Sequence, residues 1–95
     1  MFRKLLAAID SNDVGRVRQL LKDNARLSIG RDPSGRTGLH LAAAADQNET
    51  CALLLSAGAD PNHTAEDRTT PLFQAASRGL LSTVKMLLAA GAQPN

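Results

Sequence analysis

Apolar residues return at helical spacing in short segments along the whole chain. Near the start, Leu5, Ala8 and Ile9 have the i, i+3, i+4 spacing that places side chains on one face of a helix. The same spacing begins again at Val17, and turn-forming residues separate the segments. The pattern predicts helices over residues 4–11, 14–23, 38–45, 48–57, 71–78 and 81–90.

Two stretches of the chain share identical residues at one fixed offset of 33 positions. The matching pairs include Thr37 with Thr70, Leu39 with Leu72, Leu55 with Leu88, Gly58 with Gly91 and Asn62 with Asn95. A fixed period of this length is typical of stacked repeats, each too small to bury its own apolar face. We therefore expect one domain over residues 1–95, with a degenerate first repeat at 1–31 and further repeats at 32–64 and 65–95.

At these residues the chain resembles ankyrin repeats, whose signature begins T-P-L-H-x-A. The two copies read T-G-L-H-L-A from Thr37 and T-P-L-F-Q-A from Thr70. Gly38 stands where the family has Pro, and Phe73 stands where it has His. The resemblance covers essentially the whole chain. It implies an all-α solenoid of stacked helix–turn–helix units with projecting β-hairpin turns.

Several residues mark the ends of the predicted helices. Asp13 and Thr37 precede helices and are expected to act as N-caps. Pro71 suits the first turn of a helix, where its missing N–H is not needed. Asn24 aligns with the helix-ending Gly58, so we expect it to end the second helix in the left-handed conformation.

The two turns that the resemblance places at hairpin tips differ in sequence. Residues 32–35 read D-P-S-G, which has the composition of a tight turn. Residues 65–68 read A-E-D-R and lack the Asp and the Gly of the first turn. We expect an irregular hairpin at the second turn.

The last predicted helix has more apolar residues than one buried face requires: Leu81, Val84, Met86, Leu87 and Leu88. We expect part of this surface to be covered. The occupant is a fourth repeat of a longer protein, a partner, or a second copy of the chain.

Composition narrows the class of protein. Aromatic residues make up 2% of the chain, so the core must be built from Leu, Ala, Val and Ile. The lone Cys51 excludes an internal disulfide and favours a reducing compartment. No apolar run approaches the ~18 residues of a membrane span, and residues 5–9 are too short for a signal peptide. We therefore expect an intracellular protein, cytoplasmic or nuclear, without membrane insertion.

Charge is distributed unevenly along the chain. Residues 1–36 hold eight Lys/Arg and four Asp, whereas residues 37–95 hold three Lys/Arg and five Asp/Glu. This asymmetry is typical of ordinary solvated surface, and a steering patch for an acidic partner is the alternative. Nucleic-acid binding is not expected, because the chain lacks a dense basic face and stacking aromatics.

No group of residues predicts catalysis or a cofactor. Residues 30–37 fit the P-loop pattern with Arg in place of Lys, but no buried strand precedes them and the repeat register explains them. The repeat position of His40 predicts a structural histidine, hydrogen-bonded between neighbouring turns. His63 has no partner at metal-ligand spacing, and Cys51 takes the core position of Val84. We expect neither an enzyme nor a metal or cofactor site.

The resemblance implies that a protein partner binds on the concave surface made by hairpin tips and the exposed side of each first helix. Carried over by position, the surface consists of Pro33, Ser34, Arg36, Leu41, Ala45, Glu66, Asp67, Thr69, Gln74, Ser77 and Arg78, with Ala44 and, from the first repeat, Ala7, Asp10 and Ser11. Arg36 and Arg78 would supply charged anchors, and Leu41 the floor of an apolar pocket. The alternative is a structural role, in which the last repeat stacks on further repeats or self-associates.

Overall fold

The computed structural model describes residues 2–94, which form six α-helices arranged as three consecutive pairs. The helices are α1 Phe2–Asp10, α2 Val14–Asp23, α3 Gly38–Ala44, α4 Asn48–Ser56, α5 Pro71–Ser77 and α6 Leu81–Ala89. Each end lies within two residues of its predicted position, so the helix predictions are confirmed. Residues 1 and 95 lie outside the described range. They are the outermost positions of the repeats predicted at 1–31 and 65–95, and residue 95 belongs to the predicted match of Asn62 with Asn95.

The pairs stack in chain order and form two layers of helices. α3 packs between α1 and α5 in the first layer, while α4 packs against α2 and α6 in the second. The core between the layers is aliphatic and includes the fully buried Leu5, Val17, Leu39, Leu54 and Leu87. Across residues 2–94, no helix is both long enough and apolar enough to cross a membrane.

Gly38 begins α3 at the position where the repeat signature has Pro, and packing explains the substitution. A Cβ atom at Gly38 would lie 3.1 Å from Cδ1 of Ile9 and 3.5 Å from Cδ2 of Leu5. The contact with Ile9 is already tight for a single methyl group. Glycine therefore lets α3 approach α1 closely.

The predicted N-caps are confirmed by their hydrogen bonds. The Asp13 side chain accepts from the Arg16 N–H at 3.1 Å, and the Thr37 hydroxyl accepts from the His40 N–H at 3.4 Å. The Thr37 N–H also donates to Nδ1 of His40 at 3.2 Å, which completes a reciprocal capping box. Pro71 occupies the first turn of α5, as expected.

Asn24 ends α2 as predicted, but the predicted left-handed conformation is wrong. Asn24 has φ −152°, an extended conformation, whereas Gly58 and Gly91 have φ values of 112° and 101°. α2 has 10 residues, one more than α4. Asn24 is therefore the C-cap of its helix, whereas Gly58 lies one position beyond the C-cap of α4, Ala57. Its side chain accepts from the Arg26 N–H at 3.2 Å and starts a 3-10 helix over Ala25–Ile29, which the sequence did not predict.

Candidate binding surface

The predicted binding residues lie on two turns, residues 32–35 and 65–68, and on the sides of α3 and α5 near them. We call these turns the first and second tips, and the whole set the tip surface. Its exposed members are Pro33, Ser34, Ala45, Glu66, Asp67, Ser77 and Arg78, and its half-buried members are Arg36, Leu41, Thr69 and Gln74. All of these side chains therefore retain some contact with solvent.

The first tip is closed by backbone and carboxylate hydrogen bonds. The Gly35 N–H donates to the Asp32 carbonyl at 2.8 Å, and the Asp32 N–H donates to the Arg36 carbonyl at 2.9 Å. Oδ1 of Asp32 accepts from the N–H groups of Ser34 and Arg36, both at 2.9 Å. Gly35 has φ 79°, a left-handed conformation that glycine adopts without strain. These bonds hold Ser34 at the exposed end of the turn.

The second tip repeats this geometry, so the expectation of an irregular hairpin is wrong. The Ala65 N–H donates to the Thr69 carbonyl at 2.9 Å, and the Arg68 N–H donates to the Ala65 carbonyl at 2.9 Å. Arg68 takes the place of Gly35 and has φ 69°. The turn thus imposes a left-handed conformation on a residue that disfavours it. Within residues 2–94 neither tip is extended by a β-strand.

A hydrogen bond joins the two tips directly. The Glu66 N–H donates to the Ser34 carbonyl at 3.0 Å. A Cβ atom at Gly35 would lie 3.2 Å from that same nitrogen, so the glycine also permits the close approach of the tips. The exposed side chains of the two repeats are therefore held side by side on one edge.

Thr69 connects the second tip to the helices beneath it. Its N–H and its hydroxyl both donate to Oδ1 of Asp67, at 3.1 and 2.6 Å. These hydrogen bonds lower the pKa of Asp67 below its ordinary value, and the nearby Arg36 adds a smaller effect in the same direction. The side-chain amide of Gln74 donates to the Thr69 hydroxyl at 3.3 Å. Two predicted residues, Asp67 and Gln74, are thus hydrogen-bonded to a third, Thr69, and Arg36 lies near Asp67.

His40 lies beneath this network and holds it to the second repeat. Its side chain is 1% exposed, and Nε2 lies 2.9 Å from the Thr69 carbonyl. Because a carbonyl only accepts, Nε2 carries the proton, and the neutral Nδ1 accepts from Thr37 at 3.0 to 3.2 Å. Burial lowers the pKa of His40, which favours this neutral form. The contacts confirm a structural histidine that bridges neighbouring turns.

The helix part of the tip surface is less connected. Leu41 on α3 is half-buried and packs against the core, so only part of its side chain faces solvent. Ala45 and Arg78 lie at the C-terminal ends of α3 and α5, and both are exposed. Ser77 donates to the Gln74 carbonyl at 3.1 Å. In the first repeat Ala7, Asp10 and Ser11 are also exposed.

The P-loop-like segment over residues 30–37 has no free amides for a phosphate at its turn. The N–H groups of Ser34 and Arg36 are already bound to the carboxylate of Asp32, and the Gly35 N–H is bound to its carbonyl. A phosphate at this turn would have to displace a carboxylate that belongs to the same chain. The segment therefore forms a hairpin tip.

The remaining candidate chemical groups are isolated or buried. Cys51 is fully buried, and desolvation raises the pKa of its thiol to about 12, so it is not a reactive nucleophile. The rings of His40 and His63 meet edge to face with centroids 6.0 Å apart. In the part of the chain that the structure describes, no three His, Cys, Asp or Glu side chains are grouped to hold a metal ion.

Sequence reasoning missed an apolar groove on the outer side of α5 and α6. Its volume is about 370 Å³, and Phe73 and Leu88 are among its lining residues. The surplus of apolar residues in α6 indicated an exposed face, but the contribution of Phe73 was not predicted. Phe73 stands where the repeat signature has His, and this departure was the sequence signal that could have located the groove.

The family comparison agrees with the fold. The family described as ankyrin repeats (3 copies) matches residues 5–95. This chain belongs to the ankyrin repeat family, whose fold is a non-catalytic interaction fold.

The chain is also similar to parts of much longer proteins. It is 42% identical over 79 residues to a transient receptor potential cation channel subfamily A member 1 homolog of Caenorhabditis elegans, and the match covers 83% of this chain and 6% of that protein. It is 38% identical over 82 residues to Inversin of Mus musculus, a match that covers 86% of this chain and 8% of Inversin. It is 35% identical over 88 residues to the nuclear factor NF-kappa-B p105 subunit of Gallus gallus, a match that covers 92% of this chain and 9% of that subunit. The chain thus spans less than a tenth of these relatives.

Proposed function

We propose that this chain is a protein–protein interaction module that binds a segment of a partner protein on the tip surface, as part of a larger protein. The hydrogen bond from Glu66 to Ser34 is the observation that carries the proposal, because it fixes exposed side chains of two repeats relative to each other. An isolated repeat would present only half of this edge. The tip surface is therefore ordered before a partner arrives.

Preorganisation favours binding because little conformational entropy remains to be lost. Thr69 is held by Asp67 and Gln74, and His40 anchors its carbonyl to the neighbouring repeat. Binding to such a surface avoids much of the ordering cost that a flexible loop would incur. The free energy of contact then contributes more fully to affinity.

The surface combines charges of both signs. Glu66 and Asp67 are exposed on the second tip, while Arg78 is exposed at the end of α5 and Arg36 is half-buried. A partner that matches this pattern presents a basic group to the tip and an acidic group to Arg78. Arginine is suited to anchoring because its guanidinium binds carboxylates with two parallel hydrogen bonds.

The proposal includes an intracellular compartment, cytoplasmic or nuclear. Its support is the single Cys51, which has no second cysteine to pair with in the chain. The small share of each relative that the chain spans supports a larger parent protein.

The test is affinity capture from a cell lysate with the chain and two charge-reversed variants as bait. Arg78→Glu changes the tip surface, and Lys22→Glu is the matched control on α2. Both residues are exposed, lie at the C-terminal end of a helix and undergo the same change in charge. Circular dichroism establishes that all three baits are folded.

We expect one protein to be recovered equally by the unaltered chain and by Lys22→Glu. Arg78→Glu should recover at least ~10-fold less of it, because a charged anchor of the interface is lost. Equal recovery by all three baits would place binding away from α5 and its tip. Recovery of nothing by any bait would remove the support for an interaction module.

A further inference from the structure

A small recess lies at the junction of the first and second repeats, between the segments that follow α2 and α4. Its volume is about 250 Å³. Ser28, Ile29 and Arg31 are among its lining residues from the first of these segments, and Asp60 and His63 line it from the other. Pockets that hold whole small-molecule ligands span ~300–1,000 Å³, so this recess is better matched to a single side chain. We call it the junction recess.

The recess lies where a serine replaces the asparagine of the next repeat. At the offset of 34 that relates the first repeat to the second, Ser28 corresponds to Asn62. The Asn62 amide spans the next junction, because it donates to the Gly91 carbonyl at 3.1 Å and its oxygen accepts from the Gln93 N–H at 2.7 Å. The Ser28 hydroxyl makes one such link, to the Ala57 carbonyl at 3.2 Å. The shorter side chain therefore leaves open a space that an amide occupies one repeat later.

Two polar groups at the recess have no partner within residues 2–94. The Asp60 N–H corresponds to the Gln93 N–H, but it donates neither to Ser28 nor to another residue in this range. Nε2 of His63 is buried and is also without a partner there. Buried polar groups in folded proteins are nearly always paired, and exceptions require an explanation. An acceptor placed in the recess would satisfy the Asp60 N–H.

The charges beside the recess favour an acceptor that carries a negative charge. Arg26 and Arg31 are exposed, and neither forms an ion pair with another residue of the described chain. The carboxylate that lines the recess belongs to Asp60, and its Oδ1 already accepts from the Asn62 N–H at 2.9 Å. A guanidinium binds a carboxylate through two parallel hydrogen bonds. Ile29 is 56% exposed and adds an apolar contact next to these charges.

We propose that the junction recess binds the carboxylate of an acidic side chain from a partner protein, and that an apolar residue beside it in the partner covers Ile29. The carboxylate takes the place of the amide that Asn62 supplies at the next junction. It accepts from the Asp60 N–H and pairs with Arg31. Because both walls of the recess lie inside the stack, the site does not depend on what adjoins either end of the chain. It contains no residue of the tip surface, so it goes beyond the proposed function and is tested separately.

Titration of the isotope-labelled chain with a short peptide, followed by heteronuclear NMR, tests the proposal. The probe is an acetylated and amidated hexapeptide of alternating glutamate and leucine, added up to about 10 mM in about 0.15 M salt. We expect saturable shifts centred on the amides of Ser28, Arg31 and Asp60, with a dissociation constant of about 0.1–3 mM, since one anchored side chain supplies little contact. The same peptide with glutamine in place of glutamate should bind at least ~10-fold more weakly, because Arg31 loses its charged partner.

Two variants alter the recess itself. Ser28→Asn fills it with an amide of the chain, as Asn62 does at the next junction, and should abolish the peptide-induced shifts without lowering the urea midpoint. Arg31→Gln should raise the dissociation constant at least ~5-fold. Arg16→Gln is the matched control, since Arg16 is exposed on α2, has no ion pair within residues 2–94 and loses the same charge. It should bind the peptide like the unaltered chain, and so should Arg78→Glu on the tip surface.

Several results would overturn the proposal. One is the absence of saturable shifts up to about 10 mM peptide. Another is equal weakening by Arg16→Gln, which would indicate general charge attraction, or binding that Ser28→Asn leaves unchanged. Equal binding of the glutamine peptide would assign the recess to an amide, and equal binding of acetate would assign it to small anions. Circular dichroism verifies that each variant folds, and if Ser28→Asn does not, Arg31→Gln and the glutamine peptide decide.

Discussion

At the scale of single residues, the second tip contains a conformation that its residue disfavours. Arg68 has φ 69°, where the first tip has Gly35 at φ 79°. A left-handed conformation costs a residue with a Cβ about 1–2 kcal/mol. Arg68→Gly should therefore raise the free energy of unfolding by about 0.5–1 kcal/mol, after the greater entropy of glycine in the unfolded chain is subtracted. Urea denaturation measures this change.

The reverse substitution at the first tip is the control. Gly35→Ala should lower the free energy of unfolding by about 1–2 kcal/mol. The alanine would be strained in the left-handed conformation, and its Cβ would lie 3.2 Å from the Glu66 nitrogen. If Arg68→Gly instead leaves stability unchanged or lowers it, the left-handed conformation is not a source of strain.

His40 makes stability depend on pH in a defined window. Burial lowers the pKa of His40 below its ordinary value of 6.5, so the unfolded chain binds this proton first as the pH falls. The stability contributed by the neutral ring is complete above pH 6.5 and declines below it until the folded pKa is reached. We expect the urea midpoint to decrease from pH 7 to pH 5, and the decrease to be smaller in His40→Gln.

Two comparisons isolate the effect of His40. His63→Gln should retain most of the pH dependence, because His63 contributes only a secondary charge effect on His40. The lowered pKa of Asp67 acts in a separate window, since its contribution is lost only as the pH falls below 3.8. If the urea midpoint of His40→Gln falls between pH 7 and pH 5 as much as that of the unaltered chain, the pH dependence belongs to another group.

At the scale of elements, two equivalent threonines make different contributions to the packing of α4 and α6. Thr83 and Thr50 are one period apart, and both are fully buried. The Thr83 hydroxyl donates to Asp46 at 2.7 Å and also faces Asn48, whereas that of Thr50 has no partner within the described chain. Thr83 therefore joins the third repeat to the second, and Thr50 makes no such link.

The same substitution should have opposite effects at these two positions. Thr83→Val removes a buried hydrogen bond to a carboxylate and should lower the free energy of unfolding by about 1.5–3 kcal/mol. Thr50→Val replaces an unpaired hydroxyl with a methyl group and should be neutral or stabilising by up to about 1 kcal/mol. Thermal and urea denaturation provide the measurement. Equal losses in both variants would show that the difference in hydrogen bonding is unimportant.

The helices could be predicted because their signals are local. Apolar spacing located each segment, and capping residues such as Asp13 and Thr37 fixed where helices begin. The errors arose where a residue type did not reveal its conformation. Asn24 ended a longer helix and started a 3-10 helix, and Arg68 adopted the conformation of a glycine because the turn required it.

At the scale of the whole molecule, the repeat register predicted which side chains reach the surface, but not how they are connected. The bond from Glu66 to Ser34 and the bond from His40 to the Thr69 carbonyl cross between repeats, so they depend on how the repeats stack. The apolar groove likewise requires α5 and α6 to lie side by side. The identity of a partner depends on complementarity to all of these residues together, and a period does not encode it.

The molecule therefore presents two surfaces with different chemistry. The tip surface is polar, carries charges of both signs and is fixed by hydrogen bonds. The groove on the outer side of α5 and α6 is apolar, and its lining residues include the exposed Phe73 and Leu88. Arg78 belongs to the first surface and Phe73 to the second, so the two surfaces can be altered separately.

Hydrogen–deuterium exchange of the chain, alone and bound to the partner recovered by capture, tests whether the tip surface is the site of recognition. We expect slower exchange on binding at the two tips and along α5, including the amides of Ser34, Asp67 and Thr69. Exchange in α2 should stay unchanged. Protection confined to α6, with no change at either tip, would contradict the assignment of the tip surface as the site of recognition.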